Sequence, residues 1–309
     1  MKTNNSSIKK SIQLLKKNEC IGIPTETVYG LAANAYSSEA VLKIFKLKKR
    51  PRSNPLIVHY LDIKLLNDDC YLNKRFMKLY KIFCPGPITF ILKKKKNSII
   101  SNFVTNNKKT LAVRFPQHPI TRLILKNINF PLAAPSANVS TSISPVTKQD
   151  VLEEFGSKIK YVIDGGTTKV GLESTIIDVT GRPKILRVGG LDLKKINKSL
   201  KLNLTYNFKN KYKVPGQNKL HYSPGIPVIL NVKKPRKFSA YILISKRKYN
   251  NKNYFYLTKN KNLKEAGQNL YKTLRRIKRK KFKLIEVENI PNQGLGIAIN
   301  DRLKRASYK

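Results

Sequence analysis

The chain has no tryptophan, two methionines, three cysteines and three histidines, and its 17 acidic residues face 63 basic ones. Cys20, Cys70 and Cys84 lie far apart with no CxxC pair, which excludes a disulfide framework and a cysteine-based zinc site. His59, His118 and His221 share no metal-ligand spacing, so no metal ligands are expected from the protein itself. GxxxxGK(S/T), a GxGxxG after a strand and a GxSxG elbow are all missing. The local signatures of P-loop, Rossmann dinucleotide-binding and α/β-hydrolase chemistry are therefore absent. No apolar run approaches the ~20 residues of a membrane span, and MKTNNSSIKKSIQLLKK has no apolar core of signal-peptide length. The expectation is a cytoplasmic, soluble protein with no membrane partner.

What is abundant is positive charge. A net +46 over 309 residues makes contact with polyanions, whether nucleotides or RNA, hard to avoid. Only 14 of the 63 basic residues are Arg, the side chain whose planar fork grips phosphate and carboxylate bidentately. A Lys excess in an Asn-rich chain fits a genomic composition bias equally well. The 40% hydrophobic fraction supports a sizeable core, and the length suits two domains.

Strand-like and helix-like stretches alternate, as in α/β proteins. Residues 8–17 have helical spacing and 20–23 form a short apolar strand. A second helix at 38–49 is capped by Ser37 or Ser38 and stopped by Pro51. Buried strands are expected at 56–60, 89–92, 111–115, 131–134 and 161–163. Residues 174–179 and 184–188 flank Thr180-Gly181-Arg182-Pro183 and read as a hairpin. Beyond Leu191 the chain turns polar, and Pro/Gly punctuation marks a linker. The expected division is a catalytic domain at 1–204, a linker at 205–230 and a small C-terminal α/β domain at 231–309. The last piece holds strands at 241–245, 254–257 and 283–288 and a helix from 263 to about 280. It carries a net +19, against +27 on the preceding 230 residues.

Four polar clusters follow strands or sit in loops, where ligands bind in open α/β sheets. Pro24-Thr25-Glu26-Thr27-Val28-Tyr29-Gly30 gathers hydroxyls, a carboxylate and an aromatic ring, or is simply a capped turn. The run from Lys48 to Leu56, closed by His59, suits a polyphosphate; cations there also complement a helix C-terminus. Arg114 interrupts the apolar run 110–116 and needs an anionic partner if buried, or else points to solvent. The Ser/Asn-rich loop 134–145 offers donors for phosphate oxygens, or is a plain solvated loop. Glu173-Ser174-Thr175 and Arg187 lie behind it on the hairpin. Residues alone give a basic α/β enzyme, or an RNA binder, that uses an anionic ligand. They do not give a reaction.

Taken in order, PTETVYGL, the KxRP…NPL..H run, LAVRFP, APSANVS followed by SP, GLESTIID and ILRVGG resemble the YrdC/TsaC-like family of threonylcarbamoyl-AMP synthases. The likeness runs continuously over residues ~10 to ~190. Pro215-Gly216, His221-Tyr222-Ser223-Pro224 and the segment 294–306 resemble the longer two-domain form of that family. The resemblance implies an α/β fold: a twisted mixed sheet with a concave basic face, plus a small Rossmann-like C-terminal domain. It implies a nucleotidyl transfer in which L-threonine, bicarbonate (or CO2) and ATP give threonylcarbamoyl-AMP and pyrophosphate. Mg²⁺ would come with ATP, without a dedicated protein site. The product would pass to tRNA threonylcarbamoyl-transferase proteins, and the basic surface would touch tRNA weakly.

By correspondence with the family motifs, Lys48 and Arg50 are the catalytic cations. Arg50, Asn54, Thr110, Ser136, Ser144 and Arg187 map to ATP, while Thr27, His59, Arg114 and Ser174 map to threonine, Arg114 gripping its carboxylate bidentately. His221 and Tyr222, unusual in a Lys/Asn spacer, suggest a lid laid over the site. Two departures stand out: Gln217-Asn218-Lys219-Leu220 replaces the usual basic residues before the HY pair, and Ala134 stands where some relatives have Thr. The competing readings are a non-catalytic RNA-binding protein and carbamoyl transfer from carbamoyl phosphate. For the basic stretch 275–281, a solvated helix face is the simplest expectation.

Overall fold

Short apolar runs buried on both faces need a sheet covered on both sides, and this chain builds two. The computed structural model describes residues 5–206, 220–247 and 251–308. The chain opens with α1 (Asn5–Lys16), β1 (Ile21–Ile23), β2 (Gly30–Asn34), α2 (Ser38–Lys48), β3 (Ile57–His59), α3 (Ile63–Asp69), α4 (Lys74–Phe83) and β4 (Ile88–Lys93). It continues with α5 (Asn102–Thr105), β5 (Thr110–Arg114), α6 (Pro119–Lys126), β6 (Leu132–Ala133), α7 (Lys148–Phe155), β7 (Thr175–Asp178), β8 (Lys184–Arg187) and α8 (Leu193–Leu200). The last part holds β9 (Val228–Ile229), β10 (Ala240–Ser245), β11 (Tyr254–Thr258), α9 (Leu263–Arg279), β12 (Ile285–Val287) and α10 (Gly296–Ala306).

Strands β1 to β8 form one mixed sheet in the order β1-β2-β6-β3-β5-β4-β7-β8. In it β3–β5 and β4–β7 are parallel pairs and the other neighbours run antiparallel. The second sheet, β11-β10-β12-β9, is parallel throughout, with α9 crossing over between β11 and β12. One local expectation fails and one strand goes unannounced. Residues 161–163 make only a single bridge, Gly22 to Val162, rather than a strand. Conversely Gly-Leu-Ala-Ala-Asn, poor in β-branched residues, becomes β2 because it is paired on both sides. Half of the region expected as a linker, residues 207–219, lies outside the described residues, and so do Pro215, Gly216 and Gln217 to Lys219. No helix among the described residues is long and apolar enough to cross a membrane.

Helices α9 and α10 pack against loops of the first sheet, and glycine sets how closely. Gly171 has φ +72°, and a Cβ there would lie 2.6 Å from the Cα of Gln268 in α9. The basic stretch expected as a solvated face is partly this interface. Arg275 is buried, donating to Ile143 O (2.6 Å) and Glu154 Oε1 (3.0 Å), and Arg279 reaches Asp150 (2.8 Å) and Glu153 (2.9 Å). Both arginines are drawn to α7, which presents three carboxylates to that face, Arg279 while staying half exposed. Lys278, Lys280 and Lys281 remain exposed.

Candidate active site

Three pairings bring the strand ends together. His59 at the end of β3 stands in register with Arg114 at the end of the parallel strand β5. The PTETVYG segment is zipped to the Ser/Asn loop by Leu31 N donating to Pro135 O, Ala137 N donating to Tyr29 O (both 2.8 Å) and a bridge between Gly30 and Ser136. The β7–β8 hairpin sets Arg187 beside Ser174: Nε donates to Ser174 O and Nη2 to Ser174 Oγ, both at 3.1 Å. Gly189 permits the chain to leave β8 against that segment, since a Cβ there would lie 2.2 Å from Glu173 O.

These groups surround one cavity, lined by Arg50, His59, Arg114, Ser136, Ser174, Arg187, His221 and Tyr222 together with Thr25, Tyr29 and Glu173. The space measures about 530 Å³ with open solvent included, of which about 40 Å³ admits the centre of a water-sized sphere. With Tyr222 and His221 in place, that inner space suits water rather than a nucleotide.

Of the other expected site residues, all but Thr110 stand one contact away. Lys48 is buried, and its Nζ donates to the carbonyls of Ser136 (2.5 Å) and Asn138. It is therefore not a solvated cation at a helix end. Lys49, at φ +49°, caps α2 in the left-handed region and turns Arg50 inward. Arg50 donates to Asn54 O (3.1 Å) and Pro55 O (2.9 Å), which is how Asn54 joins the site. Thr27 accepts from Arg114, and Ser144 donates to Glu173 Oε1 at 2.6 Å. Thr110 is half-buried at the far end of β5, four residues and roughly 13 Å along the strand from Arg114.

Arg114 does not point to solvent. Its Nη2 reaches Glu26 Oε1 and Thr27 Oγ1, each at 2.7 Å, so the anion demanded by burial is supplied by the chain itself. A fork through both terminal nitrogens is thus already half engaged, while its buried Nε has no hydrogen-bond partner among the described residues. His59 Nδ1, His221 Nδ1 and the Tyr222 hydroxyl are likewise buried without partners.

Burial sets the charge states. It drives Lys48 well below the usual ammonium range, with Arg50 adding to the effect. Arg50 itself is lowered to about 9 by burial and by Arg187, and so stays protonated at neutral pH. Burial and Arg114 hold His59 far below its ordinary value, and burial lowers His221 to about 3, so both imidazoles are neutral. Burial opposes ionisation of Glu173, but Arg302 and Arg187 outweigh it and hold the carboxyl near 2. The thiols of Cys20, Cys70 and Cys84 are all pushed up to about 12 by burial, which leaves them without nucleophilic character at neutral pH.

Sequence reasoning had picked no site role for Glu26, Glu173, Tyr271 or Arg302. Glu26 and Glu173 were visible as lone acids inside otherwise neutral motifs of a basic chain. Tyr271 and Arg302 carried no such signal, since their partner Glu173 is 98 and 129 residues away.

The family described as telomere recombination, Sua5–YciO–YrdC, matches residues 13–189. The family described as threonylcarbamoyl-AMP synthase, C-terminal domain, matches residues 184–307. A threonylcarbamoyl-AMP synthase of Pyrococcus abyssi is 36% identical over 95% of this chain and 92% of its own length. One from Bacillus subtilis is 33% identical over 99% and 94%. The crystal structure of P. abyssi Sua5 complexed with L-threonine superposes with a TM-score of 0.89 at 34% identity, covering 97% of this chain and 94% of that one. A variant of that protein with a His-Tyr pair replaced by alanine superposes at 0.87. Escherichia coli YciO, at 22% identity and a TM-score of 0.55, shares the fold over 60% of this chain.

Proposed function

The chain belongs to the Sua5–YciO–YrdC family, in the form that also carries the threonylcarbamoyl-AMP synthase C-terminal domain, and on that premise we propose that it makes threonylcarbamoyl-AMP from L-threonine, bicarbonate (or CO2) and ATP. The observation that carries the reading is the cavity, where Arg50, Arg114 and Arg187 converge with hydroxyls and neutral imidazoles. A carbamate formed on the threonine amine attacks the α-phosphorus; the new P–O bond forms as the bond to pyrophosphate breaks. No protein nucleophile takes part. The work is positioning and stabilisation of negative charge.

In this reading Lys48 and Arg50 are the catalytic cations. Lys48 also fixes the Ser136–Asn138 carbonyls, and so shapes the loop that faces the nucleotide. Arg187, Ser136 and Asn54 serve the nucleotide beside Arg50. Thr110 serves it from the far end of β5, and Ser144 acts through Glu173. Threonine lies at the other end, against His59, Ser174, Thr27 and Arg114, with the free Nε of Arg114 meeting its carboxylate. Mg²⁺ enters with the nucleotide as substrate, held by its phosphates. His221 and Tyr222 act as a lid, displaced to admit substrates and replaced to exclude water from an easily hydrolysed adenylate. The protein works in the cytoplasm and hands its product to tRNA threonylcarbamoyl-transferase proteins.

The decisive measurement is pyrophosphate release from ATP. It is expected to require both L-threonine and bicarbonate; equal release with either omitted overturns the reading.

A further inference from the structure

We infer that Arg302 of α10 is a positioning residue for this reaction: through Tyr222 and Glu173 it holds the cavity wall, so the C-terminal part of the chain helps to build the active site. The inference rests on the proposed function for its kinetic consequence, and on geometry alone for its structural one.

Tyr222 lies in the left-handed region, at φ +62°. A bulky residue holds such a conformation only where its surroundings over-determine it. Two of those surroundings come from the C-terminal helices. The Arg302 guanidinium lies 5.0 Å from the Tyr222 ring centroid, and the Tyr271 ring of α9 stacks on it at 5.8 Å and 22°. The preceding residue is pinned too, His221 N donating to Arg305 O at 3.3 Å. On the opposite side Ser223 N donates to Thr141 O at 2.8 Å. The segment is thus strung between the two parts of the molecule, with the Tyr222 hydroxyl buried in the cavity wall and unpartnered.

Arg302 also fixes Glu173. It is wholly buried; its Nε donates to Glu173 Oε2 (3.0 Å) and its Nη1 to Asp301 Oδ2 (2.7 Å). Tyr271 donates to both Glu173 oxygens, at 2.9 and 3.0 Å. Glu173 in turn accepts from Ser144 and directly precedes Ser174, the anchor of Arg187. One guanidinium therefore orients two walls of the cavity without itself lining it. A lysine could keep the charge beside Glu173 but not the flat face on Tyr222 or both carboxylate bonds.

The chain has no tryptophan, so Tyr222→Trp supplies a single fluorescent reporter of this segment. Placing Arg302→Met in that background is expected to shift emission to the red, as the ring leaves its buried platform. In the otherwise unaltered chain, Arg302→Met is expected to lower kcat at least ~10-fold, the scale of a misplaced site, and to change threonine KM less than kcat, since of the threonine-facing residues only Ser174, next to Glu173, adjoins the walls that Arg302 holds. Arg302→Lys is expected to fall between, and Lys304→Ala, exposed on the same helix, to match the parent. A residue that merely stabilised the fold would lower Tm and leave kcat and emission of the folded protein unchanged; that result overturns the inference. If Arg302→Met does not fold, Arg302→Lys and Tyr271→Phe are judged by the same readouts, and parental kcat and emission in both overturn it. Should the unaltered chain need neither threonine nor bicarbonate, the reaction fails, while the emission comparison still decides whether Arg302 sets Tyr222.

Discussion

Two regions of this molecule bury cations in opposite ways. At the cavity, Lys48 and Arg50 are held by main-chain carbonyls and form no ion pair among the described residues. At the seam between the two sheets, Arg275, Arg302 and Arg305 are each bonded to a carboxylate. Carbonyls fix a cation's position while leaving most of its charge uncancelled, whereas a carboxylate cancels it. The first arrangement is costly in an empty site and favourable once an anion arrives. The second is complete without a ligand. How a buried cation is held thus separates groups that await a substrate from groups that assemble the protein, and Arg114, with one edge on Glu26 and its Nε unpartnered, belongs to both.

The seam gives the largest expected effect in free energy. Glu173→Gln removes one partner of a buried pair and is expected to cost about 3–5 kcal/mol of unfolding free energy. It also changes the pH dependence. The folded carboxyl lies near 2 against an ordinary 4.5, so its contribution is full above about 4.5 and is lost as pH falls toward 2. Denaturant unfolding between pH 5 and 3 is expected to show a steeper loss of stability for the unaltered chain than for Glu173→Gln. Parallel curves would mean that Glu173 is not held ionised by its arginines.

The cavity reverses the ledger between stability and rate. Arg50→Ala breaks no ion pair, so its stability cost is that of carbonyls left without a donor, about 1–3 kcal/mol. Its turnover is expected to drop at least ~100-fold, the scale for losing one preorganised donor to developing charge. Steady-state pyrophosphate release on folded protein checks this. A parental rate would place Arg50 among the structural cations instead.

Much of the cavity side was legible in the sequence because its signals are local. The capped helix α2, the hairpin β7–β8 and the cations after Lys48 sit within short motifs whose residue types state their needs. An arginine in an apolar strand announced that an anion was required, though not that Glu26 would supply it. The seam was illegible for the complementary reason. Glu173 meets Arg302 across 129 residues, and Asp150 meets Arg279 across the same span. No spacing rule reaches that far. Arg275 and Arg279 looked like any solvated Lys/Arg run because only the fold places α7 opposite them, and Gly-Leu-Ala-Ala-Asn becomes a strand only because neighbours pair with it.

The smallest effect is expected from the charge that dominates the composition. Lys278, Lys280, Lys281 and Lys283 are exposed, held neither by a cavity nor by a seam. If function lay in gripping an RNA backbone, four such cations would supply part of a steep salt dependence, because each phosphate neutralised releases counterions. If, as proposed, the nucleotide is enclosed between Arg50 and Arg187, it is screened far less. Replacing all four lysines with glutamine is therefore expected to change pyrophosphate release by less than about twofold, equally at 50 and 300 mM salt. Any affinity for a tRNA fragment should fall in the same variant, with its salt slope reduced by up to about four phosphate contacts. A variant that loses turnover as well would show that the lysine surface, and not the carbonyl-held pair alone, brings anionic substrates to the site; the distinction between held and paired cations would then miss a third class whose work is done at long range.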